Sequence, residues 1–147
     1  MDVRLAPLEE SRYTRFWALF VESMPADANG VYESLGVTPK EAERLPREIG
    51  ELRQIETGGD VAGFAWTEVR GRTLHVHALL LEPEFRGRGL GAEALSGLEH
   101  AFRGRIDEVE LGVLPGNERA RALYERMGFE QVGERLGFLI MRTSVSP

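Results

Sequence analysis

Two histidines, His75 and His77, stand two positions apart in an apolar run at residues 74–81. An imidazole has a pKa of about 6.5, so it is the side chain best suited to accept a proton near neutral pH. The pair is therefore a candidate general base. A core position, with backbone carbonyls as hydrogen-bond partners, is the alternative for either ring.

A glycine-rich turn, RGRGLGA at residues 86–92, follows the histidine run. Its glycines at 87, 89 and 91 allow the backbone to curl, so that successive N–H groups point into one concavity at the start of a helix. The positive end of the helix dipole favours an anion there, as in pyrophosphate sites. Arg86 and Arg88 can add bidentate contacts to phosphate oxygens at the rim.

The same turn also satisfies the dinucleotide-binding pattern GxGxxA, but its context opposes that interpretation. A dinucleotide turn follows its strand directly and requires an acidic residue at the end of the next strand. Here residues 83–86 intervene, and Glu108 and Glu110 lie at the start of the next predicted strand. Too few strands follow for a doubly wound sheet.

The spacing of apolar residues predicts the elements that carry these groups. Strands are predicted at 3–8, 52–57, 61–69, 73–82, 107–114, 129–134 and 136–142, and helices at 11–24, from 38 to a break or kink near 46, at 90–102 and at 117–128. Residues 25–37 are predicted to form a long loop. Ser11, Thr38 and Asn117 are the predicted N-caps, and Thr38 forms a capping box with Glu41. This order predicts an α/β domain with a mixed sheet.

Length and composition suit one globular domain over residues 1–147. The absence of cysteine excludes disulfides, thiolate metal sites and acyl transfer through a protein thiol. A net charge of -6 disfavours nucleic acid as a partner. No apolar stretch has the length of a membrane helix or a signal peptide, so we expect a cytoplasmic protein with no membrane partner.

Two segments resemble motifs of the GNAT acetyltransferase superfamily. The turn RGRGLG, residues 86–91, matches its RxxGxG motif, and NERARALYERMGF, residues 117–129, matches its second motif, NxxAxxLYxxxGF. The motifs occur in the family's order and at its usual separation. The resemblance implies a mixed, mostly antiparallel sheet of about seven strands flanked by about four helices.

The resemblance also implies a donor substrate, acetyl-coenzyme A, and direct transfer to an amine with no metal. The pantetheine arm of the donor would pair with the predicted strand 73–82 near residues 79–81, where that strand splays from strand 107–114. The departing coenzyme A thiolate would take a proton from Tyr124. The implied coenzyme-binding residues are Leu79, Leu80, Leu81, Arg86, Gly87, Arg88, Gly89, Leu90, Gly91, Ala92, Asn117, Ala120 and Tyr124. A core position is the alternative for Tyr124, because it lies on the apolar face of its helix.

The run HVHAL is also similar to the arylalkylamine N-acetyltransferase branch, whose histidine pair lies near the acceptor. Because residues two apart in a strand share a face, His75 and His77 are predicted to lie on the side of Leu79 and Leu81. Many relatives use a glutamate as the base in this region, which makes Glu68 and Glu110, each on a neighbouring strand, the reserve candidates. Relatives also commonly build the acceptor site in the region of Phe16, Trp17, Phe20 and Tyr32, for which a core position is the alternative.

Three functions stay open at this point. The first is acetylation of a small amine, and the second is acetylation of a protein N-terminus or lysine. The third is a non-catalytic acyl-coenzyme A-binding module. Homodimers are common among relatives, so a homodimer is the oligomer that the resemblance suggests.

Overall fold

A seven-stranded sheet organises the chain, in the order β1-β2-β3-β4-β5-β7-β6. The computed structural model describes residues 2–24 and 28–146. Within them the elements are β1 (Arg4–Pro7), α1 (Tyr13–Ser23), α2 (Ala28–Leu35), α3 (Pro39–Glu48), β2 (Glu51–Thr57), β3 (Asp60–Arg70), β4 (Thr73–Leu81), α4 (Leu90–Ala101), β5 (Glu108–Val113), α5 (Glu118–Arg126), β6 (Glu130–Arg135) and β7 (Phe138–Ser144). This is the mixed α/β fold that the sequence predicts, with one helix more than expected.

The pairing of β4 with β5 is the one parallel contact in the described sheet, and it is short. Residues 73–76 of β4 pair with residues 108–111 of β5, and the ladder ends at Val76 and Leu111. Both strands continue beyond that point, β4 to Leu81 and β5 to Val113. The sheet therefore opens into a wedge between the two strand ends, as the resemblance implies.

Apolar side chains pack on both faces of the sheet. One face carries α4 and α5 and a core that includes Leu74, Val76, Leu95, Leu98, Phe102, Val109, Leu111 and Phe129. The other face carries α1 and a core of Tyr13, Phe16, Leu19, Phe64, Trp66, Ala78 and Leu80, against which Leu45 and Ile49 also pack. The histidine strand thus lies between two helical layers.

A β-bulge at His77 corrects the predicted orientation of the histidines. Ala78 pairs with Trp66 of β3 and Val76 pairs with Thr67, so His77 is an extra residue in β4. An inserted residue shifts the alternation of faces by one position. Leu74 and Val76 therefore face α4, whereas Ala78 and Leu80 face α1, and Leu79 packs on the α4 side. The prediction that the histidines share the face of Leu79 was wrong.

The start of α1 differs from the prediction. Residues Glu10–Arg12 form a 3₁₀ turn that runs directly into the helix, so Arg12 occupies the N-cap position and makes no side-chain cap. Ser11 is inside that turn, where its backbone is already helical and its hydroxyl is not at the cap. The predicted capping box of Thr38 and Glu41 is confirmed, with Pro39 at the first helical position.

The predicted loop at residues 25–37 contains a helix instead, α2. Residues 25–27 lie outside the described part of the chain. Val31, Tyr32 and Leu35 form an apolar stripe with helical spacing, and Gly36 follows the helix in the left-handed region at φ 73°. The stripe and its glycine stop outweigh the turn signals of Asn29 and Gly30. In α3, Pro46 lies inside the helix, which continues to Glu48.

No helix within residues 2–24 and 28–146 is long and apolar enough to cross a membrane.

Candidate active site

A cavity of about 390 Å³ lies where β4 and β5 diverge. Its walls at the wedge come from β4, β5 and the start of α5, including Leu79, Val113, Asn117, Ala120 and Tyr124. On the opposite side the walls come from α1, α2 and β3. Both histidines and Glu110 line the same cavity, so the structure brings together the proton-accepting and proton-donating candidates of the sequence.

A polar row crosses the sheet beside this cavity. Glu68 of β3, His75 of β4 and Glu110 of β5 are direct neighbours in the register, and Arg142 of β7 pairs with Glu110. The rings of His75 and His77 are nearly parallel, with centroids 6.4 Å apart. Cross-strand pairing therefore places a carboxylate on each side of the histidines, which agrees with the flanking strands predicted for Glu68 and Glu110.

Glu68 holds His77 in place and is a poor base. Its Oε1 lies 2.7 Å from Nε2 of His77 and accepts a hydrogen bond of 2.9 Å from Arg70. The Arg70 hydrogen bond, with a smaller contribution from His77, lowers the pKa of Glu68 to about 2. A carboxylate of such low basicity stays ionised at neutral pH, so it can orient the imidazole but is a weak proton acceptor.

His75 has the protonation state that a general base requires. Burial lowers the pKa of His75 below its ordinary value, because a charged imidazolium is poorly solvated there. Its ring is therefore neutral at pH 7. Nδ1 of His75 lies 3.5 Å from Glu110, whose carboxylate accepts two hydrogen bonds from Arg142, at 2.7 and 3.1 Å. Glu110 thus has a structural cation partner of its own.

Tyr124 lies on α5, at the wedge end of the cavity. Its ring packs against Phe129, with centroids 5.7 Å apart, and burial raises the pKa of its hydroxyl. The phenol is therefore protonated at neutral pH and can donate a hydrogen bond or a proton. Asn117 Oδ1 accepts the N–H of Ala120 at 3.2 Å, which confirms the predicted helix cap, and both residues line the cavity.

The glycine-rich turn leads into α4. Gly87 and Gly89 have φ of 77° and 80°, and a Cβ would be strained in that left-handed region. Gly89 occupies the N-cap position and provides no side-chain cap to the first turn. Arg86 donates from Nε to the carbonyl of Leu81 at 3.1 Å, so it ties the turn to the end of β4. Phosphate contacts by Arg86 and Arg88 stay a prediction.

The family model described as the acetyltransferase (GNAT) family matches residues 13–129, which is most of the sequence. The chain belongs to this family. The match includes the histidine run, the glycine-rich turn and the Tyr124 helix, so the three features described above all lie inside the GNAT domain.

The similarity to two named acetyltransferases extends over part of this chain and over part of each relative. Mycothiol acetyltransferase of Propionibacterium freudenreichii is 34% identical over 60% of this chain and 30% of its own. N-alpha-acetyltransferase RimI of Mycobacterium tuberculosis is 37% identical over 54% of this chain and 51% of its own. The chain therefore spans at most about half the length of these two relatives.

Solved structures share the fold over nearly the whole chain. The ribosomal-protein-S18-alanine N-acetyltransferase of Escherichia coli superposes with a TM-score of 0.74 and 20% identity, covering 99% of this chain and 96% of that one. The PaiA N-acetyltransferase of Thermoplasma acidophilum, solved in complex with coenzyme A, has a TM-score of 0.69 and 14% identity, covering 98% and 99%. These likenesses establish the fold.

The aromatic residues of α1 and α2 take both roles that the sequence left open. Phe16 is fully buried in the core, Trp17 and Phe20 line the cavity, and Tyr32 is both buried and part of the cavity lining. Trp66 of β3 also lines it, and sequence analysis missed this residue because its strand gave no sign of which face meets the cavity.

Leu136, in the turn between β6 and β7, was missed as well. Its signal is in the sequence, since Leu-Gly stands where a two-residue hairpin turn normally has Asn-Gly.

Proposed function

We propose that this GNAT domain transfers the acetyl group of acetyl-coenzyme A to the primary amine of a small molecule. The observation that carries the proposal is the wedge between β4 and β5. It opens into a cavity that is lined both by the histidine pair and by Tyr124. A proton acceptor and a proton donor on one cavity are what amine acylation by a thioester requires.

The residues present fit the donor substrate. Backbone groups of β4 beyond Val76 have no partner on β5, so residues 79–81 offer an edge to an extended pantetheine arm. The left-handed glycines at 87 and 89 and the first turn of α4 offer backbone N–H groups to its pyrophosphate. The coenzyme A complex of PaiA, a protein with this fold, supports the assignment. The donor supplies an activated acetyl group.

We assign to the histidine pair the role of accepting the proton of the attacking amine. Most amines are protonated at neutral pH and have no free lone pair until a base accepts that proton. The neutral ring of His75 can accept it, and His77, held through Nε2 by Glu68, presents its other ring nitrogen. As the C–N bond forms and the C–S bond breaks, the amine proton passes to imidazole, directly or through water.

We assign Tyr124 the proton that the leaving sulfur takes up. Its raised pKa keeps the hydroxyl protonated until the thiolate develops. The phenolate left behind is reprotonated from solvent. Direct transfer of this kind leaves no acyl group on the protein, which agrees with a chain that contains no cysteine.

A second candidate acceptor is the amine of a protein or peptide. The 37% identity with RimI, named as an N-alpha-acetyltransferase, favours it. A third candidate, a non-catalytic acyl-coenzyme A-binding module, predicts coenzyme binding without turnover.

Release of free thiol from acetyl-coenzyme A, measured across a panel of small amines and peptides, tests the proposal. We expect turnover with a small amine, and Tyr124→Phe should lower kcat about 100-fold or more while packing is preserved. Turnover with peptides alone would favour the second candidate. Saturable coenzyme binding with no thiol release from any amine would favour the third. An unchanged kcat in Tyr124→Phe would make Tyr124 a packing residue.

A further inference from the structure

The turn between β6 and β7 holds a leucine in a backbone conformation that disfavours it. Arg135 pairs with Phe138, so Leu136 and Gly137 form a two-residue hairpin turn. Their φ angles are 52° and 84°, as a type I′ turn requires. Leu136 is the one residue other than glycine with a positive φ in the described part of the chain. Asparagine or glycine would adopt this angle at lower cost.

The location of the Leu136 side chain suggests why a leucine is kept in this strained backbone conformation. It lines the cavity together with Arg135 and Phe138, yet 38% of its surface is exposed. A partly exposed leucine gains little from packing, and backbone strain of this kind concentrates at ligand-binding positions. A function at the cavity edge therefore explains the residue better than stability does.

The wall of the cavity that leads to the histidines is aromatic. Trp17 stacks on Phe20 at 5.1 Å, Phe20 contacts Trp66 edge-on at 5.7 Å, and the Trp66 ring lies 4.7 Å from that of His77. A ligand whose amine reaches the histidines would lie along this wall. Burial of apolar surface against such rings favours an apolar body.

The carboxylates of the site are already engaged. Glu68 is held by Arg70 and His77, and Glu110 by Arg142. A second ammonium group on the ligand would have to compete with these internal partners, and it would lose its hydration in doing so.

We propose that the acceptor is a primary amine with an apolar, branched or ring-bearing body and no second charge. Leu136 is the specificity-determining residue that covers this body at the mouth of the cavity. The inference rests on the proposed function for the acetyl transfer, but the selection of the amine follows from the cavity wall and from the engaged carboxylates.

Amine binding can be measured without turnover, because the chain has two tryptophans, Trp17 and Trp66, and both line the cavity. We titrate 3-methylbutylamine and 1,4-diaminobutane, each in the presence of coenzyme A, and follow tryptophan fluorescence. The apolar amine should saturate at a concentration about 10-fold or more below that of the diamine. Equal or tighter binding of the diamine would overturn the apolar class.

Leu136→Asn separates the specificity role from a structural one. Asparagine suits the turn, so the variant should keep or raise the melting temperature. Its dissociation constant for 3-methylbutylamine should rise about 10-fold or more, since the apolar contact is gone. Leu136→Gly also suits the turn and should give the same result. Val132→Asn, at an exposed position of β6 that does not line the cavity, is the control and should bind as wild type.

Wild-type affinity in both Leu136 variants would remove Leu136 from the acceptor site. The two proposals fail separately, because fluorescence reports amine binding and thiol release reports transfer. Selective binding of 3-methylbutylamine without thiol release would overturn the acetyltransferase proposal and leave the binding site standing. Where transfer occurs, Leu136→Asn should raise the KM for the amine and leave the KM for acetyl-coenzyme A unchanged.

Discussion

Two tasks fall to different residues in the folded site: accepting a proton and orienting an imidazole. The sequence offered the same four candidates, His75, His77, Glu68 and Glu110, without dividing these tasks among them. Glu68 has a pKa of about 2, so it is ionised over the whole range in which an enzyme works. His75 has a lowered pKa and is neutral at pH 7. The sequence could name these residues from their chemistry, but not divide their roles. That division depends on two arginines: Arg70 lies two residues from Glu68 on the same strand, whereas Arg142 meets Glu110 only through the pairing of β5 with β7.

A residue-level prediction concerns the pH dependence of kcat/KM. If the histidines accept the amine's proton, kcat/KM should rise with pH as the base loses its own proton. With His75 as base the midpoint should lie below its ordinary value of about 6.5, because burial lowers its pKa. His75→Gln with His77→Gln should cost about 10-fold to 1000-fold in kcat/KM at neutral pH, and less at high pH where more amine is neutral.

The single variants His75→Gln and His77→Gln identify which ring causes the rise. Glu68→Gln serves as control, and it should lower the rate without abolishing the rise, because Glu68 does not titrate in this range. Coenzyme affinity should stay constant in all of them. A double variant with the wild-type rate and profile would make both histidines packing residues and leave Glu110 as the base.

At the level of elements, the order of strands and the later helices were predictable, because their apolar spacing and caps are local signals. Asn117 caps α5, and Gly128 follows it at φ 93°. The bulge at His77 was not predictable, since residues 78–81 are all apolar and do not show which of them face α1, and since the bulge depends on the pairing with β3. Helix α2 was missed because turn residues at its start concealed the stripe of Val31, Tyr32 and Leu35.

An element-level prediction tests the start of α4. Gly89→Val should lower coenzyme affinity by about 10-fold or more, because valine tolerates φ of 80° poorly and its side chain would meet the phosphates. Gly104→Val is a matched control. Gly104 has φ of 87°, and like Gly89 it has no neighbouring atom within 4 Å of an added Cβ. Both variants should lose similar stability, about 1 to 2 kcal/mol.

Calorimetric titration with acetyl-coenzyme A checks the comparison. Loss of binding in Gly89→Val alone would support the phosphate turn. Normal binding in that variant would contradict the assignment, and equal loss in both variants would attribute the effect to stability.

At the level of the whole molecule, the wedge divides the sheet into two parts. Strands β1 to β4 form one part and β5 to β7 the other, joined in the sheet only through residues 73–76 and 108–111. The cavity at the wedge takes its walls from both parts. A donor whose arm pairs with β4 and whose thioester reaches Tyr124 would contact both parts of the sheet. Its binding should therefore stabilise both parts together against unfolding.

A ligand bound only by the folded state stabilises it by about 2.7 kcal/mol at a concentration 100 times its dissociation constant. For a chain of 147 residues that corresponds to a rise in melting temperature of about 5 to 10 °C. Scanning calorimetry with acetyl-coenzyme A should show one cooperative transition shifted by this amount. NADH at equal concentration should shift nothing, because the turn lacks the strand context of a dinucleotide site. A shift with NADH equal to that with acetyl-coenzyme A would contradict the assignment, and a transition that splits in two would show that the donor stabilises one part of the sheet alone.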